Sequence, residues 1–206
     1  MNIKVTESAE WLRLHPVQRI ELISVLMDLR PGCQIEYEPG SNITNLRNVF
    51  EVAGLEFAID GLLSAYYASN EKGLIHSLGL GDVSNYNKIY PCPCCADPRI
   101  ITNLGRFLLY PVCCVTEFIQ VVSNDTQHED FFKKWLGLVD SSDAGLSLLY
   151  CFHIPCSTEC KDSLEFGSQV KGLLDTDYPE LSEYFLQHKK KYLAHESGIT
   201  LSGGGG

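Results

Sequence analysis

Cysteine placement is the feature of this sequence that most limits what the chain can fold into. The chain has nine cysteines among 206 residues, and seven of them fall into three short groups, each with a proline beside it. Clustered thiols are the ligands that soft metals and iron–sulfur clusters take. A shared site would require stretches far apart in the chain to meet. The first group is Cys92, Cys94 and Cys95, the second is Cys113 and Cys114, and the third is Cys156 and Cys160.

Charge and hydropathy exclude several classes of partner. The net charge is −10 and the isoelectric point is near 5, whereas nucleic-acid-binding domains carry a basic patch. The only basic run is Lys189–Lys191, so we expect no nucleic-acid partner. No stretch approaches the ~18 apolar residues of a membrane span, and no secretory signal is visible. These features predict a cytoplasmic protein with reduced thiols and no membrane association; a small-molecule or protein partner stays unknown.

Hydrophobic patterning predicts a fold that is mainly α with a small β-sheet, in a single compact α+β domain. We expect this domain to span residues 1–198 and a flexible glycine-rich tail to follow over residues 199–206. Residues 100–109 fit a helix or a strand equally well. The predicted helices cover residues 9–14, 16–29, 45–69 with a break near Gly54, 111–122, 125–139, 157–174 and 179–195, and the predicted strands cover 33–38, 74–80 and 145–154.

The third cysteine group lies in a predicted strand–proline–helix sequence. This places Cys156 at a helix N-terminus, where the partial positive charge favours the thiolate and lowers the pKa of the thiol. Cys156 and Cys160 are four residues apart, so on a helix they share one face. His153 comes at the end of the preceding strand and is a further candidate for the same site.

The first and second groups suggest different local structures. Cys113 and Cys114 fall in the first turn of the helix that Pro111 begins. Adjacent helical residues differ by about 100° around the axis, so we expect one thiol at most to face a mononuclear site, or the two to bind neighbouring atoms of a cluster. The first group lies in a long irregular stretch in which Pro93 restricts the backbone.

Ligand spacing leaves the identity of the metal open. Structural zinc sites favour pairs of cysteines separated by two to four residues. The pairs Cys92–Cys95 and Cys156–Cys160 fit this spacing and predict a four-cysteine zinc site, with His153 as a substitute ligand. Iron–sulfur clusters also take four cysteines. The sequence therefore predicts a cysteine-rich protein that binds zinc or an iron–sulfur cluster, redox-active or catalytic at that site, with all seven grouped cysteines as candidate ligands.

Two other interpretations stay open. In the first, the protein is a metal-free thiol enzyme, with Cys156 as the nucleophile, His153 as its base and Cys160 as a resolving thiol. In the second, the chain is a cysteine-rich interaction domain without catalysis, because free cysteine is among the most buried residue types and often only fills space.

Overall fold

The fold class agrees with the prediction from the sequence. The computed structural model describes residues 3–36, 43–60, 65–80, 98–122 and 143–196. Over these residues the chain is mainly α-helical with one small antiparallel sheet, which confirms the α+β class.

The contacts within the chain define two compact units. Unit 1 comprises residues 1–110 and unit 2 comprises residues 111–206. The predicted single domain over residues 1–198 stays a prediction. The predicted tail at 199–206 and the predicted helix at 125–139 lie outside the described residues.

Unit 1 contains a three-stranded sheet and the helices that flank it in the chain. The strand order is β1-β3-β2, and both pairings are antiparallel. All five residues of the central strand β3 are buried. The elements in chain order are α1 (Ile3–Thr6), α2 (Ala9–Leu12), α3 (Pro16–Leu26), β1 (Gly32–Glu36), α4 (Ile43–Ala53), β2 (Glu56–Asp60), β3 (Ala65–Ser69), α5 (Leu74–Ser77) and α6 (Pro98–Phe107).

The first helices of unit 1 begin where their capping residues predict. The Ser8 side chain accepts a hydrogen bond from the backbone N–H of Trp11 and caps α2. His15 caps α3, where Pro16 takes the first helical position and Gln18 completes a capping box. Proline is well suited to that position because its missing N–H would have no partner inside the helix.

The predicted helix over residues 45–69 is wrong beyond Gly54. Gly54 has a positive φ of 72°, which ends α4, and the chain then forms β2 and β3. The apolar residues of β3 reflect burial between two neighbouring strands, a pattern that periodicity alone does not separate from a buried helix. The predicted strand at 74–80 is also wrong, because Leu74–Ser77 form a short helix.

All the regular secondary structure of unit 2 is helical over its described residues. Its elements are α7 (Val112–Val122), α8 (Asp143–Leu149), α9 (Lys161–Asp177) and α10 (Pro179–Glu196). The predicted strand at 145–154 is wrong, since the chain is helical to Leu149 and irregular over 150–160. Leu148, Leu149 and Cys151 form a buried cluster, so the apolar run there reflects a helix and turn packed into the core. None of the described helices in either unit has the combined length and hydropathy that a bilayer crossing needs.

Two contacts fix the irregular segment 150–160 at its start. The Tyr150 hydroxyl lies 2.6 Å from the Ser182 hydroxyl on α10, and both residues are buried. The Cys151 thiol donates a hydrogen bond of 3.0 Å to the Ser163 carbonyl oxygen on α9. Hydrogen bonds of this kind satisfy polar groups that would otherwise be costly to bury. The segment thus leaves α8 in a defined direction toward the start of α9.

A glycine allows α8 and α9 to approach each other closely. A Cβ atom placed on Gly167 of α9 would lie 2.0 Å from the Ser147 carbonyl oxygen and 3.2 Å from the Cys151 sulfur. The first of these neighbours is backbone, which cannot rotate away. Gly167 is therefore required by close packing between the two helices.

We predict that Gly167→Ala lowers the free energy of unfolding by roughly 1–3 kcal/mol, the usual cost of overpacking a core. Gly172→Ala is the matched control in the same helix, because nothing lies within 4 Å of a Cβ placed there. Alanine at Gly172 should raise stability by about 0.5–1 kcal/mol through helix propensity. Urea unfolding followed by circular dichroism measures both; equal effects at the two positions would contradict the close approach.

Candidate metal centre

Four cysteine sulfurs converge in unit 2. The Cys114 and Cys160 Sγ atoms are 3.6 Å apart, and the Cys113 Sγ lies 3.7 Å from Cys160 and 3.9 Å from Cys114. The Cys156 Sγ completes the set, in which all four sulfurs lie within 4.8 Å of one another. We call these four residues the four-cysteine centre. Their spacing is close enough for one metal ion to bind to all of them.

The second cysteine group contributes both of its thiols. Cys113 and Cys114 are the second and third residues of α7. The expectation that one of these two thiols at most faces the site is wrong, because both sulfurs belong to the four-cysteine centre. Adjacent Cα atoms are about 3.8 Å apart, and Cα–Cβ bonds tilt toward the N-terminus of a helix. Short side chains in a first turn can therefore converge on a point beyond the helix end.

The third group reaches the centre by a route that differs from the prediction. The helix begins at Lys161 and not near Ser157, so Cys156 and Cys160 lie in the irregular segment and do not share a helical face. Cys160, and not Cys156, is the N-cap residue of α9. The positive end of the helix dipole thus acts most directly on the Cys160 sulfur.

The four cysteines differ in their access to water. Cys114 is 2% exposed and Cys160 is 7% exposed. Cys156 is half-buried and Cys113 is exposed. The centre is therefore closed on the side of α9 and open to solvent at the start of α7.

Ser163 is a polar partner of the sulfurs that the sequence analysis missed. Its hydroxyl donates a hydrogen bond of 3.2 Å to the Cys160 sulfur and lies 3.3 Å from the Cys114 sulfur. Ser163 is fully buried. The backbone N–H of Cys156 donates a further hydrogen bond of 3.3 Å to the Cys114 sulfur. The signal was present in the sequence as a serine three residues after Cys160, the third helical position, whose groups can hydrogen-bond to those of the N-cap residue.

His153 orients the Ser163 hydroxyl. Its Nε2 atom lies 2.8 Å from the Ser163 Oγ, and its side chain is 7% exposed. A serine hydroxyl has a single proton to donate. When Ser163 donates that proton to a cysteine sulfur, its oxygen can only accept in the bond to His153. His153 Nε2 must then be protonated and act as the donor. The histidine thus acts on the sulfurs through the serine.

The surroundings shift the pKa values of Cys114, Cys156 and Cys160 in different directions. Burial opposes ionisation of Cys160, but hydrogen bonds from Ser163, Cys114 and Cys113 outweigh it and lower the pKa of Cys160. Burial raises the pKa of Cys114 well above its usual range. Burial, together with a hydrogen bond to Cys113, raises the pKa of Cys156 to about 11. These directions favour a thiolate at Cys160 over one at Cys114 or Cys156.

Two further cysteines of the described residues do not belong to this centre. Cys33 lies fully buried in β1 of unit 1, and Cys151 is fully buried in the core of unit 2 beside α9. The first group, Cys92, Cys94 and Cys95, lies outside the described residues. The predicted pairing of Cys92–Cys95 with Cys156–Cys160 therefore stays a prediction, while the described residues bring the second and third groups together.

Comparison with known proteins places the centre within a family. The model of the family described as "Protein of unknown function (DUF483)" matches residues 81–184. No curated protein and no solved structure matches this chain. The matched region covers just over half of the 206 residues and includes all four cysteines of the centre. The chain therefore belongs to the DUF483 family.

Proposed function

We propose that this protein binds a single zinc ion through Cys113, Cys114, Cys156 and Cys160. The observation that carries the proposal is the spacing of the sulfurs. A tetrahedral ion with zinc–sulfur bonds of about 2.3 Å holds its ligands about 3.8 Å apart. Three of the sulfur–sulfur distances are 3.6, 3.7 and 3.9 Å.

The same distances favour one ion over a cluster. In an iron–sulfur cluster held by four cysteines, at most two cysteines bind the same iron atom, so three cysteine sulfurs are not all within one tetrahedral edge of one another. The sulfurs of Cys113, Cys114 and Cys160 are separated from one another by about the edge of one zinc–sulfur tetrahedron. A tetrahedral all-sulfur site is typical of zinc. Zinc is thus the better match, and an iron–sulfur cluster becomes an outcome of the test below.

Charge around the centre supports a set of thiolates. Four thiolates around a divalent ion carry a net charge of about −2, which needs compensation in a partly buried site. The N-termini of α7 and α9 are both at the centre, and each contributes a partial positive charge of about half an elementary charge. The Ser163 hydroxyl and the Cys156 N–H add hydrogen bonds to the sulfurs. These are the outer interactions that orient and stabilise metal ligands.

The metal would stabilise the fold of unit 2. It would connect the first turn of α7 to the irregular segment before α9, two parts of the chain that are more than 40 residues apart. Because such a site does not form in an unfolded chain, the free energy of metal binding adds to the free energy of folding. The proposed role is therefore a structural zinc site.

The metal-free thiol enzyme has less support. Catalysis by Cys156 would need a thiolate, whereas the pKa of Cys156 is raised to about 11 by burial and by its hydrogen bond to Cys113. His153, the base in that hypothesis, is hydrogen-bonded through its Nε2 atom to the Ser163 hydroxyl. His153 is accordingly a positioning residue for the sulfurs in the proposal.

The proposal also favours a reducing compartment. Metal-binding thiols must be reduced, and the six cysteines of the described residues are all free. A reducing compartment such as the cytoplasm meets this requirement. The acidic chain, with a net charge of −10, fits a protein that does not bind nucleic acid.

We predict that the protein purified without oxygen contains one zinc ion per chain, measured by elemental analysis. Loss of a residue that hydrogen-bonds to a metal ligand typically lowers metal affinity ~10–100-fold. Cys160→Ala removes a ligand itself, so it should lower zinc affinity by more than that. It should also lower the melting temperature in zinc buffer. Cys33→Ala is the matched control, because it removes a buried thiol from unit 1 and leaves the centre intact.

Three results would contradict the proposal. A brown protein containing iron and sulfide would indicate a cluster. A colourless protein that takes up no zinc from a zinc buffer would exclude a metal site at these four residues. Equal zinc affinity in Cys160→Ala and Cys33→Ala would place the metal elsewhere.

We predict that Ser163→Ala weakens zinc binding by roughly 10–100-fold, because it removes the hydroxyl that contacts two of the sulfurs. His153→Ala should weaken binding in the same direction, and the double variant should add little to Ser163→Ala, since His153 acts through the serine. Competition with a calibrated chelator measures all three affinities. Additive losses would show that the two residues act independently.

A further inference from the structure

Access to water singles out one of the four cysteines. Cys113 is exposed, and Val112 before it is 79% exposed. Cys114 and Cys160, by contrast, are nearly inaccessible. A small reagent that approaches from water therefore reaches the Cys113 sulfur before it reaches these two ligands.

Hydrogen bonding singles out the same residue. Hydrogen bonds to a sulfur draw electron density from it and weaken it as a nucleophile. The sulfurs of Cys114 and Cys160 receive such bonds from the Cys156 N–H and the Ser163 hydroxyl. Among the described residues, the Cys113 sulfur lies within hydrogen-bonding range of the Cys114 and Cys160 sulfurs. Oxidation of cysteine follows thiolate character and exposure, and in the proposed zinc site Cys113 would combine a metal-bound thiolate with exposure.

A second thiol is already in place to react with an oxidised Cys113. Cys160 Sγ lies 3.7 Å away and Cys114 Sγ lies 3.9 Å away. A disulfide between neighbours in sequence is unfavourable, because their Cα atoms are about 3.8 Å apart and disulfides usually need about 4.4–6.8 Å. Cys160 is 47 residues further along the chain and has no such restriction. It is therefore the better resolving thiol.

We infer that the four-cysteine centre is a hydroperoxide-sensitive switch, in which Cys113 is oxidised first, Cys160 closes a disulfide with it, and the zinc ion is released. The inference rests on the proposed zinc site and adds a regulation of that site. Loss of two of four thiolates leaves Cys114 and Cys156 to bind the metal, which is too few for a closed structural zinc site.

The reaction balances with hydrogen peroxide as the oxidant. The Cys113 thiolate attacks one peroxide oxygen, the O–O bond breaks, and the products are a sulfenic acid at Cys113 and hydroxide. The Cys160 thiolate then attacks the Cys113 sulfur, forms the S–S bond and expels the second hydroxide. Two protons from solvent convert both hydroxides to water. The two electrons that reduce the peroxide come from the two thiolates.

The test treats the zinc-loaded full-length protein with graded hydrogen peroxide. Zinc release is followed with a chromogenic chelator, and the disulfides are mapped by mass spectrometry of peptides. We expect one zinc ion released per disulfide and Cys113–Cys160 as the first disulfide formed. Cys113→Ser should slow zinc release by about tenfold or more, whereas Cys33→Ser, which lacks a buried thiol outside the centre, should behave as the wild type.

The wild-type peptide map decides the question even where Cys113→Ser loses its zinc. A zinc-loaded protein that first forms another disulfide, such as Cys156–Cys160, overturns the inference and leaves the proposed zinc site standing. The same holds if zinc stays bound after Cys113 and Cys160 are joined. A protein that binds no zinc at all contradicts both the proposed site and the switch.

Discussion

The convergence of four cysteine sulfurs is the constraint on which the account of unit 2 depends. The Sγ atoms of Cys113, Cys114 and Cys160 are separated by 3.6–3.9 Å. Ionised thiols at this spacing repel one another strongly in a partly buried site, and a divalent cation between them would turn that repulsion into attraction. The first turn of α7, the irregular segment 150–160 and the N-cap of α9 all meet at this point.

The hydrogen bonds around the sulfurs connect His153 to Ser163 and Ser163 to Cys160. His153 supports the Ser163 hydroxyl, and that hydroxyl donates to the Cys160 sulfur. These hydrogen bonds run through the buried side of the centre and leave Cys113 on the exposed side. In the proposed zinc site, stability and reactivity are therefore assigned to different cysteines, which is how the proposed switch would let a structural metal site respond to an oxidant.

The sequence predicted local features well and tertiary ones poorly. The starts of α2 and α10 follow from Ser8 and Pro179, whose effects act within one helical turn. The strands β2 and β3 and the helix α8 were missed, because short apolar runs become strand or helix according to what they pack against. Residue type alone marked the cysteines as candidates. Which groups meet, and the part that Ser163 plays, depend on packing between segments far apart in the chain.

X-ray absorption at the zinc edge of the anaerobically purified protein tests the central claim most directly. The account predicts a single shell of four sulfur neighbours at about 2.3 Å and no second metal nearby. A shell that contains nitrogen or oxygen ligands, or a metal neighbour at short distance, would contradict a mononuclear site formed by Cys113, Cys114, Cys156 and Cys160.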